Sequence, residues 1–371
     1  MIYIFGDNGY KITTEKLKKY SFEIGAYRPP SEGGSSSLLI RATRNCPWNK
    51  CTFCDMYKGT RFALRPVEEI KHDIDSASAI SDEIKTISWG LGYSGEVNRD
   101  VGMAIIKTDP SLNANPCFVT VFNWLYSGAK TVFLQDSNSL NMRKRDLIDI
   151  VKYLREIFPS LKRITSYARS KTIVQRRLED LKNIYEAGLN RLHVGLETGD
   201  DELLKKVNKG ATSEEHIIAG KKAKEAGFEL SEYWMPDLGG RARWELHAKN
   251  TARVLNEINP DYIRSRPFVP RPGTPLYEEY ERGEFHLSSP HERLIEIRTM
   301  IEDLDVSSRV CFDHTMNSWA NDRGELLFRQ DYEGYNFPEE KSLVLELIEE
   351  GLSVDESMHI DARDLIKIKS L

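Results

Sequence analysis

Six short runs rich in apolar and β-branched residues, separated by longer stretches that read mostly as amphipathic helices, predict an α/β protein with a parallel sheet and its helices outside. The runs are SLLIRAT, TVFLQDS, RITSYA, RLHVGLE, ELSEYWM and DYIRSRPFV. Between them, Leu147, Ile150, Val151, Leu154 and Phe158 fall on one helical face, and Trp244, Ala248, Thr251, Leu255 and Ile258 on another. With 371 residues, 40% of them apolar, the chain can bury a sizeable core. Six βα units are enough for a curved sheet or partial barrel.

In chain order, residues 1–35, ending in the Pro-, Gly- and Ser-rich YRPPSEGGSSS, read as an irregular leader. The first strand and a helix near 67–80 follow. A break in the rhythm at about 82–129 reads as an insertion with its own helices, in the position of a lid. From Thr131 the βα pattern runs to about residue 285, so residues 36–285 form the predicted barrel. After Pro270 the alternation stops, and 286–371 reads as an α-rich C-terminal extension containing HERLIEIRTMIEDLD and a terminal helical region. In barrels of this kind, chemistry collects where the strands end.

Composition narrows the partners. A net charge of −5 with scattered lysine and arginine offers no basic stripe for phosphates, which argues against nucleic acid. No apolar run approaches the roughly 20 residues of a membrane span, and MIYIFGDNGYKITTEK lacks the order of a signal peptide, so a cytoplasmic location is expected. Five cysteines, three of them crowded, fit a reduced compartment and metal ligation better than a disulfide framework.

The crowded three stand in CPWNKCTFC, as Cys46, Cys51 and Cys54, directly after the first strand. Three thiolates on one loop can hold three corners of a [4Fe–4S] cube, for which a full protein set would be four, leaving one iron free for a cofactor or substrate. A structural zinc site would need a fourth ligand, and no Cys or His lies between Cys54 and His72.

This loop resembles that of the radical S-adenosylmethionine superfamily, whose cluster motif follows the first strand of a partial (β/α)6 barrel. The common spacing there is C-x3-C-x2-C with an aromatic before the last cysteine. Phe53 keeps the aromatic, while the first gap has one extra residue. The resemblance covers about 36–285 and is nearest to the branch shared by oxygen-independent coproporphyrinogen oxidases and the Elp3 and methylthiotransferase groups. It implies S-adenosylmethionine as cofactor and a flavodoxin- or ferredoxin-type reductant. RLHVGLETGDDELLKKVNKG resembles the branch's fourth-strand signature, which implies that Glu197 lies beside the methionyl part of the cofactor and that Lys209 holds its carboxylate. Strand alternation places His193, Gly195 and Glu197 inward; a plain ion pair would explain the same two charges. TVFLQDSNSL occupies the place of a Gly-Gly-Glu segment. Without those glycines, Asp136, Ser137 and Asn138 could accept from the cofactor's ammonium, or cap the helix starting near 142. Ser166 and Arg169 fall near positions that touch the ribose in relatives. MPDLGGR resembles a Gly-Leu-Pro-Gly turn with Asp237 in place of a glycine; Gly239 and Gly240 would allow backbone approach to adenine, or make an ordinary turn.

Absences narrow the reaction. Only Cys117 and Cys311 remain outside the motif, which is too few for a second all-cysteine cluster and argues against methylthiolation; Asp313-His314 lacks the spacing of a cobalamin-ligating motif. Hydrogen abstraction from a small, anionic organic substrate is the expectation. Arg264 and Arg266 alternate with Ile263, so both should point inward as a clamp for a carboxylate or phosphate, or pair with protein acids, Glu232 first. Glu232 and Trp234 are lesser candidates, and His314 and Asn317 sit where the extension could close the barrel mouth. Cys311 or Cys117 could return hydrogen to a product radical, although buried cysteine is usually inert. Two rival readings are a cluster-bearing haem or Fe–S carrier and an RNA-modifying enzyme.

Overall fold

The computed structural model describes residues 10–32 and 37–368, so the expected end of the leader at 35 and the first nine residues lie outside the described residues. The chain divides into two compact units.

The first unit comprises residues up to 45, with 62–167 and 183–190. Its strands are β1 (Ser37–Arg41), the short pair β2 (Thr43–Arg44) and β3 (Ala63–Leu64), β4 (Thr131–Gln135) and β5 (Arg163–Ala168). β4 pairs parallel with both β1 and β5, while β2 and β3 pair antiparallel. Leu38, Leu39 and Ile40 on β1 and Val132, Phe133 and Leu134 on β4 are all buried. Continuous burial, without alternation, marks a parallel sheet covered on both faces. The expected helix face is present: in Lys144–Ile157, Leu147, Ile150, Val151 and Leu154 are buried.

Two expectations change here. The helix expected near 67–80 runs Val67–Gly90, and the insertion adds helices Arg99–Thr108 and Pro116–Tyr126. The last of these packs against β1 and Val67–Gly90, burying Phe118, Val121, Trp124 and Leu125, so it is a covering helix of the sheet and not a lid. The described part of the leader is tied in as well. Leu17 is fully buried, and Gly25 exchanges backbone hydrogen bonds of 2.8 and 2.9 Å with the Gln135 side chain.

The second unit comprises 46–61, 168–182 and 191 onward. It contains β6 (Arg191–Glu197), β7 (Glu229–Trp234), β8 (Tyr262–Ser265), β9 (Arg309–Cys311) and β10 (Tyr335–Asn336). β6, β7, β8 and β9 pair in parallel succession, and β10 closes antiparallel on β9. The βα rhythm therefore does not stop after Pro270: helix Pro290–Asp303 leads into a further parallel strand. RVC is too short to show a period and lies in a polar stretch, which is why pattern alone passes over it. Helix Gly240–Ile258 buries Ala248, Thr251, Leu255 and Ile258 as expected and packs on Pro290–Asp303, which packs in turn on Lys341–Ser353. The extension is α-rich, as expected, but it also continues the sheet.

Candidate functional site

The cysteine loop is built from residues that tolerate tight backbone. Asn49 adopts a positive φ of 46°, a conformation Asn reaches more easily than most residues. Its amide donates to Cys46 Sγ at 3.3 Å, and its side chain donates to the Tyr57 carbonyl. Lys58 Nζ donates to the carbonyls of Asn49 and Cys51 at 3.2 and 2.9 Å. All three thiols are free and half-buried. Burial pushes the Cys54 thiol up to about 12 and raises Cys51 as well, with Lys209 and Arg169 pulling the latter down.

A second segment holds this loop from the other side. The Thr52 amide donates to the Val207 carbonyl at 2.9 Å, and Trp48 Nε1 to the Asn208 carbonyl at 2.7 Å. Arg169 lies 5.0 Å over the Trp48 ring and donates to the Lys209 carbonyl at 2.8 Å. Gly210, with φ of 73°, meets the ring so closely that an added Cβ would fall 2.5 Å from it. Trp48 is thus a positioning residue that motif reading misses, because nothing in x4 marks it.

Glu197 stands where the ladder slips: the register between β6 and β7 shifts between Gly195 and Glu197, and Glu197 has φ of 64°. A bulge of this kind re-aims a side chain. Lys209 Nζ donates to Glu197 Oε1 at 2.6 Å. A Cβ on Gly195 would stand 2.1 Å from that oxygen, so glycine there is what lets the pair fold over the strand. Burial alone would lower the Lys209 ammonium, but Glu197 and Cys51 outweigh it and hold it above its ordinary value. His193 Nδ1 lies 3.0 Å from the Tyr233 hydroxyl.

Other expected residues are engaged elsewhere. Asp136 Oδ2 accepts from Arg41 Nε and from the Asn45 amide, each at 2.8 Å, so that oxygen holds the approach to the cysteine loop and is not open to an ammonium. Ser137 Oγ donates to the Asn45 carbonyl at 3.0 Å. Asn138 is buried at the N-cap position of the 3-10 turn Ser139–Asn141 without a side-chain capping bond, and the helix Lys144–Ile157 has Arg143, not Ser137 or Asn138, at its N-cap. Ser166 Oγ donates to its neighbour's carbonyl. Phe53 packs beside the apolar cluster of Val207, Leu238, Phe268 and Leu276. Gly239 begins helix Gly240–Ile258. The His286 carbonyl lies 2.6 Å from where a Cβ on Gly240 would stand, so glycine with its positive φ is what this close packing requires. Asp237 is buried and paired with Arg293 at 2.7 Å.

The two arginines differ from the expected clamp. Arg264 is wholly buried, with Nη1 2.5 Å from Asp313 Oδ2, Nε 3.1 Å from Ser231 Oγ and Nη2 3.2 Å from the Tyr332 carbonyl. All three of its side-chain nitrogens are thus engaged by the protein. Arg266 Nη1 reaches Asp313 Oδ1 at 2.7 Å. The neutralising acid is therefore Asp313 and not Glu232. Burial would raise Asp313, but the two guanidiniums hold it below the usual carboxylate range. Glu232 is buried with Oε2 unpartnered, and burial drives its pKa well above normal. Trp234 is buried with its Nε1 unpartnered, its ring 6.1 Å from that of His247. His314 Nδ1 accepts from the Met316 amide, and burial followed by Arg266 lowers its pKa to about 4. Asn317 clasps Ser265 from both sides of its amide. Cys117 hydrogen-bonds the Phe22 backbone, and Cys311 is buried with its thiol pushed up to about 12.

Among the described residues no three His, Cys, Asp or Glu side chains converge on one point as a single ion requires. A cube asks for something different, since each thiolate takes its own iron, and an all-thiol donor set on one loop fits it.

The match to known proteins agrees with this donor set. The model of the Radical SAM superfamily matches residues 40–237, more than half of the chain, and the protein belongs to that superfamily. Its members are enzymes that use a [4Fe–4S] cluster and S-adenosylmethionine. Their fold is a partial barrel of parallel strands, and the parallel ladders of both units are of that α/β kind. Among relatives, the chain is 25% identical over 174 residues to the haem chaperone HemW of Bacillus subtilis, covering 46% of this chain and 45% of that protein. It is 28% identical over 109 residues to a tRNA uridine(34) acetyltransferase of Methanocaldococcus jannaschii, covering 29% of this chain and 20% of the other. The chain thus spans less than half the length of these two relatives. The solved coproporphyrinogen III oxidase of Escherichia coli superposes with a TM-score of 0.43 at 17% identity, over 77% of this chain and 59% of that one.

Proposed function

We propose that Cys46, Cys51 and Cys54 hold one [4Fe–4S] cluster, that Glu197 and Lys209 hold the methionyl end of S-adenosylmethionine, and that the protein is a hydrogen-abstracting enzyme acting on a small anionic organic substrate. When bound and reduced by a flavodoxin- or ferredoxin-type donor, the cluster and cofactor supply a 5′-deoxyadenosyl radical. The chain's own part is placement. The observation that supports the reading is the double fastening of the cysteine loop, by the Thr52 amide to Val207 and by Trp48 to Asn208, beside Arg169, which donates to the Lys209 carbonyl. Lys209, kept charged by Glu197, is a donor for a carboxylate, and Arg169 adds a second positive charge within reach of Cys46 and Cys51. Asp136 and Ser137 hold Asn45, the residue before Cys46.

Anaerobically prepared protein should bind close to four iron atoms per chain and, with dithionite and S-adenosylmethionine, form 5′-deoxyadenosine. Iron near eight, or a cluster that survives replacement of all three loop cysteines by alanine, overturns the cluster assignment. The likeness to HemW supports a second reading as a haem carrier, for which 5′-deoxyadenosine should stay at background while haem binds. The tRNA-acting relative supports a third reading, tested by salt-dependent tRNA binding.

A further inference from the structure

The cluster at the ends of β8 and β9 is out of balance. Arg264 and Arg266 bring two positive charges, and among the described residues Asp313 is the one carboxylate in ion-pair contact with either. Two cations less one anion leaves one positive charge, on side chains that are wholly buried or, for Arg266, 15% exposed. An uncompensated charge held away from water is costly, so the fold has a reason to keep it only if something answers it.

The two arginines do not share that excess equally. Arg264 uses Nε, Nη1 and Nη2, each with a protein partner. Arg266 directs Nη1 alone to the protein, at the Ser265 carbonyl and Asp313, and its guanidinium lies 4.7 Å over the Tyr233 ring. Its Nη2 is buried without any partner. The Nε–Nη2 edge, which matches the two oxygens of a carboxylate or phosphate, is therefore the unused one. His314 directly follows Asp313 and lies within electrostatic reach of Arg266. Because its Nδ1 accepts from the Met316 amide, the neutral ring carries its proton on Nε2, a second donor.

We propose that Arg266, oriented by Asp313 and assisted by His314 Nε2–H, binds the oxyanion of an organic acid or phosphate ester substrate, while Arg264 serves only to fix Asp313. This rests on the enzyme reading above and names the group that its substrate carries.

The test is anion binding, which needs no turnover. Holoenzyme saturated with S-adenosylmethionine is titrated calorimetrically with malonate in one arm and inorganic phosphate in the other, at ionic strength matched with chloride. One of the two should bind at one site per chain. Arg266→Gln should weaken that binding at least tenfold and His314→Gln by less, with the cluster absorption of both variants unchanged. The stronger-binding arm distinguishes carboxylate from phosphate as the natural group. No binding in either arm, equal binding by Arg266→Gln, or failure of that variant to fold each overturns the proposal, the last because it makes Arg266 a prop for Asp313. Loss of 5′-deoxyadenosine formation with anion binding intact would instead sink the radical reading and leave this site standing.

Discussion

Two ionic clusters in the second unit answer the same problem differently. At the end of β6, Glu197 and Lys209 match one to one across 2.6 Å. At the end of β8, two guanidiniums share Asp313. A balanced pair is complete without a ligand, so a ligand that binds Lys209 must compete with Glu197 or add to it. An unbalanced cluster is incomplete, and a bound anion removes a cost the fold already carries. The first arrangement suits a cofactor that comes and goes. The second suits recognition by charge.

The largest effect that could break this contrast comes from Asp313. Asp313→Ala strips the single counter-charge from two buried guanidiniums and should destabilise the protein by about 3–5 kcal/mol, read from urea unfolding midpoints. A loss under about 1 kcal/mol would mean that another group neutralises the arginines, and the charge count above would fall.

Sequence reading reached the six expected strands, the helix faces and the cysteine loop because each is local: short apolar runs, a 3.6 period, a spacing within nine positions. The family resemblance, not local pattern, pointed to Glu197 and Lys209, twelve residues apart, which the fold joins as an ion pair. What sequence reading did not reach depends on contacts between distant segments. Asp313 lies 49 positions from Arg264, on a loop after a three-residue strand, and no pattern announces that partnership. Trp48 was legible as an aromatic but not as the side chain that joins Cys46–Cys54 to Asn208. Gly240 reads from sequence as a place for backbone approach to adenine or for an ordinary turn, and its neighbour in the fold is the His286 carbonyl. Local chemistry identifies which groups a segment offers, and only the tertiary fold decides which of them are already used.

The balanced cluster should respond in binding more than in folding. Lys209→Ala should keep the iron and its visible absorption while weakening S-adenosylmethionine by about 1.5–3 kcal/mol, the worth of a charged hydrogen bond and roughly 10- to 150-fold in affinity. Unchanged affinity would show that Lys209 serves Glu197 alone, and the two clusters would then differ only in arithmetic.

The finest test concerns Glu232, the buried acid that feels Lys209 and Glu197. Ionised, it would set a second carboxylate beside the Glu197–Lys209 pair. Burial instead raises its pKa well above 4.5, with Lys209 lowering it and Glu197 raising it further, and its Oε2 has no partner. The folded state therefore holds this proton more tightly than the unfolded chain does. The sign follows: its contribution is fully present below about pH 4.5 and is lost as pH rises toward the folded value, with a slope of up to about 1.4 kcal/mol per pH unit. Glu232→Gln removes that slope, so the variant should gain stability relative to the wild type between pH 5 and 7. Glu296, also buried and raised, keeps its own share in both proteins. Parallel stability curves for the two proteins would mean that Glu232 is ionised in the fold, so that a second carboxylate shares Lys209 and the one-to-one match at β6, on which the contrast rests, is gone.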